Sequence, residues 1–223
     1  MTAAPVLPLV VLVSGRGSNL RAIASRIDAG ELPARICAVL SDRADAPALE
    51  WAAGRGIPAI AVPRGQYADR DRFDAALGDA IAGHGPGLVV LAGFMRVLGP
   101  AVVERYAGRM LNIHPSLLPK HRGLHTHRRV LESGETEHGA SVHFVTRELD
   151  GGPVVLQARV PVLPGDDETR LAERVLAQEH RIYPLVIRWF AEGRLRCDGS
   201  TAWLDDRRLA VPLVSEGAAN VAT

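Results

Sequence analysis

The sequence predicts an α/β protein: a doubly wound, Rossmann-like, mostly parallel sheet, then a β-rich C-terminal part and a long C-terminal helix. Two observations predict it. In the first half, short continuous apolar runs alternate with stretches whose apolar residues recur at i, i+3 and i+4. That is the pattern of buried parallel strands covered by helices on both faces. After His114 the rhythm stops, and a polar loop and β-rich segments precede one long amphipathic run.

The strands of the first half are expected at residues 9–13, 35–40, 58–62, 88–92 and 110–113. Leu20, Ile23, Ala24 and Ile27 make the stripe of the first helix, and Phe73, Ala76, Leu77, Ala80 and Ile81 that of a later one. Pro115 ends the fifth strand. Residues 115–125 contain Pro115, Pro119 and Gly123 and read as a long loop, followed by a short helix over 126–131. Segments 140–145 and 154–162 read as β-rich and flank the turn Asp150-Gly151-Gly152-Pro153. A helix over about 168–190 buries Leu171, Val175, Ile182, Val186 and Trp189, and Pro184, which lacks an N–H, is expected to kink it. Residues 202–209 read as a small hairpin around Asp205-Asp206, and residues 210–223 as a frayed tail.

At 223 residues the chain fits a single domain, 1–223, that can bury a full core. The net charge of +1 gives no reason to expect a nucleic acid partner. Lys120 is the sole lysine, so a Schiff-base mechanism would have to use it. Cys37 and Cys197 show no Cys-x-x-Cys spacing, which argues against a disulfide framework and fits a cytoplasmic protein. The apolar start at residues 6–13 lacks a positive flank and a cleavage site and is too short to span a membrane. It reads as a leader and the first strand.

Three motifs carry chemistry. Ser14-Gly15-Arg16-Gly17-Ser18-Asn19-Leu20 lies between the first strand and the first helix. Its glycines allow a sharp turn, Ser18 suits an N-cap, and a helix N-terminus presents unpaired N–H groups to a phosphate. The third glycine of a dinucleotide fingerprint is missing, as is the Gly-Lys-Ser/Thr of a P-loop, although Asp42 stands where a ribose-binding acid would. A plain capped turn and a phosphomonoester pocket with Asn19 as donor both fit. The second motif runs from Leu91 through Ala92-Gly93-Phe94-Met95-Arg96-Val97-Leu98 to Pro100, at the strand end where ligands of open sheets collect. It can wall a flat heterocycle or simply pack as a connection.

The third motif is Asn112-Ile113-His114 with the lone acid Asp150. Alternation along a strand puts Asn112 and His114 on one face, about 6–7 Å apart at their Cα atoms. An amide donor, an imidazole and a carboxylate are the parts that stabilise an oxyanion and move protons at an acyl carbon. The plainer alternative is a strand-end histidine bonded to backbone. Histidines also gather at His121, His125, His127, His138 and His143, but no supporting carboxylate pattern accompanies His125-Thr126-His127, so no metal is expected.

Taken in order, these pieces resemble the phosphoribosylglycinamide formyltransferases: Ser14 to Leu20, Leu91 to Arg96, Leu111-Asn-Ile-His-Pro-Ser-Leu-Leu-Pro119, Gly123-Leu-His-Thr-His127, His138-Gly-Ala-Ser-Val-His143 and Leu149-Asp-Gly-Gly-Pro153. The resemblance covers residues 9–209. The wider folate-dependent formyltransferase group shares the Asn-x-His and Asp-Gly-Gly elements. The chain departs from the pattern at Arg16, where asparagine is common, at His121-Arg122, where an aromatic and a proline are common, and in its short leader.

The resemblance implies transfer of the formyl group of 10-formyltetrahydrofolate to the amine of glycinamide ribonucleotide, the third step of purine synthesis, without a metal. It places catalysis on Asn112, His114 and Asp150. Gly17, Ser18, Asn19 and Glu179 match the ribonucleotide side, and Arg70, Met95, Arg96, Val97, Leu98 and Asn112 the folate side. Residues 9–114 then form the nucleotide-binding half and 115–209 the folate and catalytic half. The implied partners are these two small molecules, with no nucleic acid or membrane, and the chain is expected as a monomer or homodimer. Two rivals stand beside this reading. A formyltetrahydrofolate deformylase would use the same trio with water as acceptor but usually carries an N-terminal regulatory domain, for which the chain has no room. A non-catalytic nucleotide-binding module would have no need of the trio.

Overall fold

The computed structural model of the protein describes residues 6–215. In chain order its elements are β1 (Leu7–Val13), α1 (Ser18–Asp28), β2 (Ala34–Ser41), α2 (Pro47–Gly54), β3 (Ala59–Ala61), a 3-10 turn at Arg64–Gln66, α3 (Arg70–Ala82), β4 (Leu88–Leu91), α4 (Pro100–Arg105) and β5 (Met110–His114). There follow α5 (Thr126–Ser133), β6 (Glu137–Phe144), β7 (Val154–Pro161), α6 (Glu168–Ala191), β8 (Leu195–Asp198), β9 (Thr201–Leu204), β10 (Arg207–Arg208) and β11 (Leu213–Ser215).

Eight strands form one sheet in the order β11-β7-β6-β5-β4-β1-β2-β3. From β3 to β5 neighbours are parallel, whereas β6 returns antiparallel to β5, and β7 antiparallel to β6. The chain winds outward from β1 to β3, then crosses to β4 on the other side of β1. That reversal opens a crevice at the C-terminal ends of β1 and β4, where an open α/β sheet takes its ligands.

Alternation along β1 explains the layering. Leu9, Val11 and Val13 join a core with Leu20 and Ile23 of α1 and Val175 and Ile182 of α6. Val10 and Leu12 point the other way, into a core with Phe73 and Leu77 of α3 and Val102 of α4. A strand buried on both faces must be apolar at every position, as the first-half runs are.

Several boundaries differ from the sequence reading. Gly17, with φ +72°, is the N-cap of α1 in place of Ser18, and no side chain caps that turn. A Cβ on Gly17 would lie 2.7 Å from the Ala48 Cβ, so the turn is pressed against α2. The C-terminal hairpin is three-stranded because β8, at Leu195–Asp198, adds to β9. The tail expected to fray from residue 210 instead carries β11, which pairs in parallel with β7. The backbone edge of β7 supplies the partners that composition could not announce. The remaining tail residues, 216–223, lie outside the described residues.

The helix α6 runs unbroken through Pro184. Beside it, the fully buried Tyr183 places its hydroxyl 3.0 Å from the Leu91 carbonyl and 2.9 Å from the Leu111 carbonyl. One phenolic proton thus pins the long helix to the ends of both β4 and β5. Tyr183→Phe leaves those carbonyls without this donor and should cost about 1–3 kcal/mol in a urea unfolding titration. An unchanged midpoint would show that backbone bonds alone satisfy the two carbonyls.

Candidate active site

The crevice holds a cavity of about 930 Å³ lined by Gly15–Asn19 of the first turn, by Met95 and Arg96 after β4, by Ile113 and Pro115 at the end of β5, and by Glu179 of α6. The uncapped first turn of α1 faces it, so its N–H groups and the positive end of the helix are placed to receive an anion. Asn19 lies one residue inside the helix, is buried, and donates from Nδ2 to Glu179 Oε2 at 2.7 Å. Its Oδ1 has no partner among the described residues. Burial pushes the Glu179 carboxyl up, and the Asn19 bond opposes that shift.

On the other side of β5 a smaller cavity of about 80 Å³ is lined by Phe94, Val97, Leu98, Asn112, His143 and Asp150, among others. Arg96 borders both cavities. Leu98 is buried, whereas Met95 and Val97 are exposed. Arg70 donates from Nη2 to the carbonyls of Val97 and Leu98 at 3.2 and 3.3 Å, so here it holds the loop backbone.

Between the cavities the expected trio does assemble. His114 Nδ1 lies 3.5 Å from Asp150 Oδ2, and both side chains are buried. Asp150 adopts φ +49°, a left-handed conformation that aspartate tolerates better than most residues. Next to it, a Cβ on Gly152 would meet the Phe144 carbonyl at 1.9 Å, so only glycine lets the loop approach β6 this closely. Asp150 Oδ2 also accepts from the Gly123 N–H at 2.9 Å. His114 Nε2 lies 3.0 Å from the His121 carbonyl. Both ring nitrogens of His114 thus face acceptors, an arrangement that an imidazolium satisfies.

His143, which in sequence is one histidine of a cluster, completes the site. The antiparallel register puts it opposite Asn112. Its Nδ1 sits 2.9 Å from the Phe144 carbonyl and must donate there, so a neutral ring offers the Nε2 lone pair. Asn112 Nδ2 lies 3.1 Å from that lone pair. Burial holds the His143 pKa at about 4, against the opposing pull of the Phe144 carbonyl and of Asp150, so the ring is neutral near pH 7. The amide of Asn112 is therefore oriented, with one N–H spent on His143 and no bond of the second seen among the described residues. Pairing the β5 and β6 sequences antiparallel is the signal that finds His143.

The loop between β5 and α5 covers His114. The Ser141 hydroxyl donates to the Ser116 carbonyl at 2.6 Å and accepts from the Leu118 N–H, while Gln157 donates to the Leu118 carbonyl at 2.8 Å. Lys120 and His121 both reach Glu135 at 2.7 Å, and Arg122 pairs with Glu148. His127 of α5, which lines the larger cavity, meets His138 of β6 at 3.0 Å, and among the described residues no group of three or more metal-ligating side chains is found.

Comparison with known proteins fits this geometry. A family model described as formyl transferase matches residues 7–187. The chain is 55% identical over 201 residues to the phosphoribosylglycinamide formyltransferase of Escherichia coli K12, covering 90% of this chain and 95% of that one. It is 46% identical to that of Haemophilus influenzae, with the same coverage. A solved phosphoribosylglycinamide formyltransferase from Coxiella burnetii superposes with a TM-score of 0.88 at 49% identity, over 93% of this chain and 99% of that one.

The buried histidines give the fold a pH dependence. Burial, reinforced by the neighbouring His127, brings the His138 pKa from 6.5 to about 4. An unfolded chain binds the proton across that window while the folded chain does not. The stability linked to His138 is therefore full above pH 6.5 and is lost as pH falls toward 4. His138→Gln should flatten the fall in urea midpoint between these pH values, and an unaltered slope would show that His138 is not the group titrating.

Proposed function

The chain belongs to the formyl transferase family, and we propose that it moves the formyl group of 10-formyltetrahydrofolate to the amine of glycinamide ribonucleotide by direct attack. The carrying observation is that β5 divides two cavities, with Ile113 and Pro115 on the wall of one and Asn112 on the wall of the other. The strand that bears the amide and the imidazole thus stands where two substrates meet.

The larger cavity suits the ribonucleotide. The N–H groups of Gly17, Ser18 and Asn19 take the phosphate, and the buried Glu179 faces the same space as an acceptor for substrate hydroxyl or amine protons. The smaller one is assigned to the folate by its lining, and its walls must part to admit a pterin-sized ring. Phe94, Val97 and Leu98 give a flat apolar wall, and Asn112 and Asp150 supply polar atoms at its inner end. When bound there, the folate supplies an activated formyl carbon and a nitrogen leaving group. Of the other folate-side candidates, Arg96 borders this cavity, Met95 lines the larger one instead, and Arg70 lines neither but holds the Val97 and Leu98 carbonyls.

Attack by a neutral amine on the formyl carbon makes a tetrahedral oxyanion. The second Nδ2–H of Asn112 donates to that oxygen, its direction fixed by the bond of the other N–H to His143. His114, with its Nε2 held on the His121 carbonyl, contributes imidazolium charge. Asp150 stabilises that charge and fixes the ring. A proton then passes from the new ammonium, by way of His114 or a water, to the departing nitrogen. We also assign the enzyme to the cytoplasm, in keeping with its two unpaired cysteines.

The experiment is a folate-absorbance assay with and without glycinamide ribonucleotide. Signal only with the ribonucleotide supports transfer, whereas an equal signal without it makes water the acceptor and overturns the reading. Asp150→Asn should lower kcat by about a hundredfold or more while the ribonucleotide Kd stays within about threefold, because the lost interaction belongs to the transition state. Normal turnover in that variant would remove Asp150 from the mechanism.

A further inference from the structure

We propose that Asp42 is a positioning residue which, through Arg96, couples the occupancy of the two cavities. The inference rests on the two-substrate reading above. Asp42 ends the β2 edge of the crevice, and its side chain is only 3% exposed. A buried carboxylate is retained at low cost only when both oxygens are partnered, and here they are. Oδ1 accepts from the Ser14 hydroxyl at 2.5 Å, and Oδ2 from Arg96 Nε at 2.9 Å. The Ser14 oxygen in turn accepts from the Met95 N–H at 2.9 Å. Ser14, Asp42 and the 95–96 backbone are thereby tied into one unit across the ends of β1, β2 and β4.

Arg96 projects from that unit. Its side chain is about half exposed, and Nε is its one guanidinium nitrogen with a partner among the described residues. The two terminal nitrogens keep four N–H donors, and the residue borders both the larger and the smaller cavity. A guanidinium is planar, so fixing Nε on a buried carboxylate fixes the plane and direction of the remaining fork. A fork held on a buried carboxylate and shared by two sites has few positions open to it, so the position one ligand selects is the position the second ligand meets, which is positive coupling. Asp42 borders the larger cavity, but both of its oxygens are spent on Ser14 and Arg96, so in this scheme it acts by holding Arg96.

The test is equilibrium titration of the intact protein with tetrahydrofolate, which lacks the formyl group and cannot react, in the absence and presence of saturating glycinamide ribonucleotide. The wild-type protein should bind the folate at least about fivefold more tightly when the ribonucleotide is present, a coupling of ordinary size. Asp42→Asn keeps the shape but loses the charge-assisted bond, and should reduce that factor below about twofold while each ligand alone binds within about threefold of wild type. Arg96→Gln removes the exposed end of the pair and leaves the Ser14–Asp42 bond in place, so it reports even if Asp42→Asn does not fold, and it should lose the same factor. An undiminished factor in either variant, or no coupling in the wild type, overturns the inference and leaves the proposed function standing. Failure of the wild type to bind either ligand overturns the proposed function itself.

Discussion

The polarity of the site depends on the burial of one imidazole. His143 is enclosed between β5 and β7, and burial keeps it neutral with its proton on Nδ1, where the Phe144 carbonyl accepts it. A lone pair at Nε2 then faces Asn112, which fixes which end of the amide turns inward. Were the ring charged, Nε2 would become a donor facing a donor, and the carboxamide would have to turn its oxygen toward His143. Asp150 Oδ1 lies 3.7 Å from the same nitrogen, too far for a good hydrogen bond, so the acid remains oriented toward His114 and the Gly123 N–H. Two histidines on adjacent strands thus stand in different protonation environments within one cluster.

That cluster exists only because the sheet changes direction at β5. In a purely parallel sheet the strand beside β5 would arrive by a crossover from the far edge and its residues would run the same way. The antiparallel β6 instead brings Ser141 opposite His114 and His143 opposite Asn112. It also lets the Asp150 turn, at the far end of the β6–β7 pair, fold back over the end of β5. Helix α6 closes the arrangement from below, with Tyr183 on β4 and β5 and Glu179 on Asn19. The Asn19–Glu179 bond joins residues 160 positions apart. Residues lining the larger cavity are therefore set by the last long helix as much as by the turn that carries them.

Period and composition made the parallel half legible. Continuous apolar runs and the stripes of α1 and α3 follow from burial on both faces of a sheet, and the face shared by Asn112 and His114 follows from a period of two. What composition could not supply was pairing between distant segments. His143 reads as one histidine among several until β6 is set antiparallel to β5. Likewise Asp42, which in sequence resembles a ribose-binding acid, has both oxygens bonded to Ser14 and Arg96. β11 has no signature in composition because a three-residue edge strand takes its stability from the strand it joins. Gly17 displaced Ser18 as the cap because its positive φ comes from packing against Ala48, a tertiary contact.

The departures at His121 and Arg122 show how a loop can be retained with different chemistry. An aromatic and a proline would fix this segment by apolar packing and restricted φ; Lys120, His121 and Arg122 fix it by charge. Glu135 receives both the Lys120 ammonium and the His121 ring, and those bonds, Lys120 first, hold its carboxyl down at about 2. Isolated surface pairs contribute little. Here the pairs lie on either side of His121, whose backbone adopts φ +53° and whose carbonyl receives the His114 proton. A non-glycine residue in that conformation persists only where its surroundings determine it. The ring bond to Glu135 and the carbonyl bond to His114 are those surroundings. The loop anchor and the orientation of the His114 imidazole are in this way a single mechanical element.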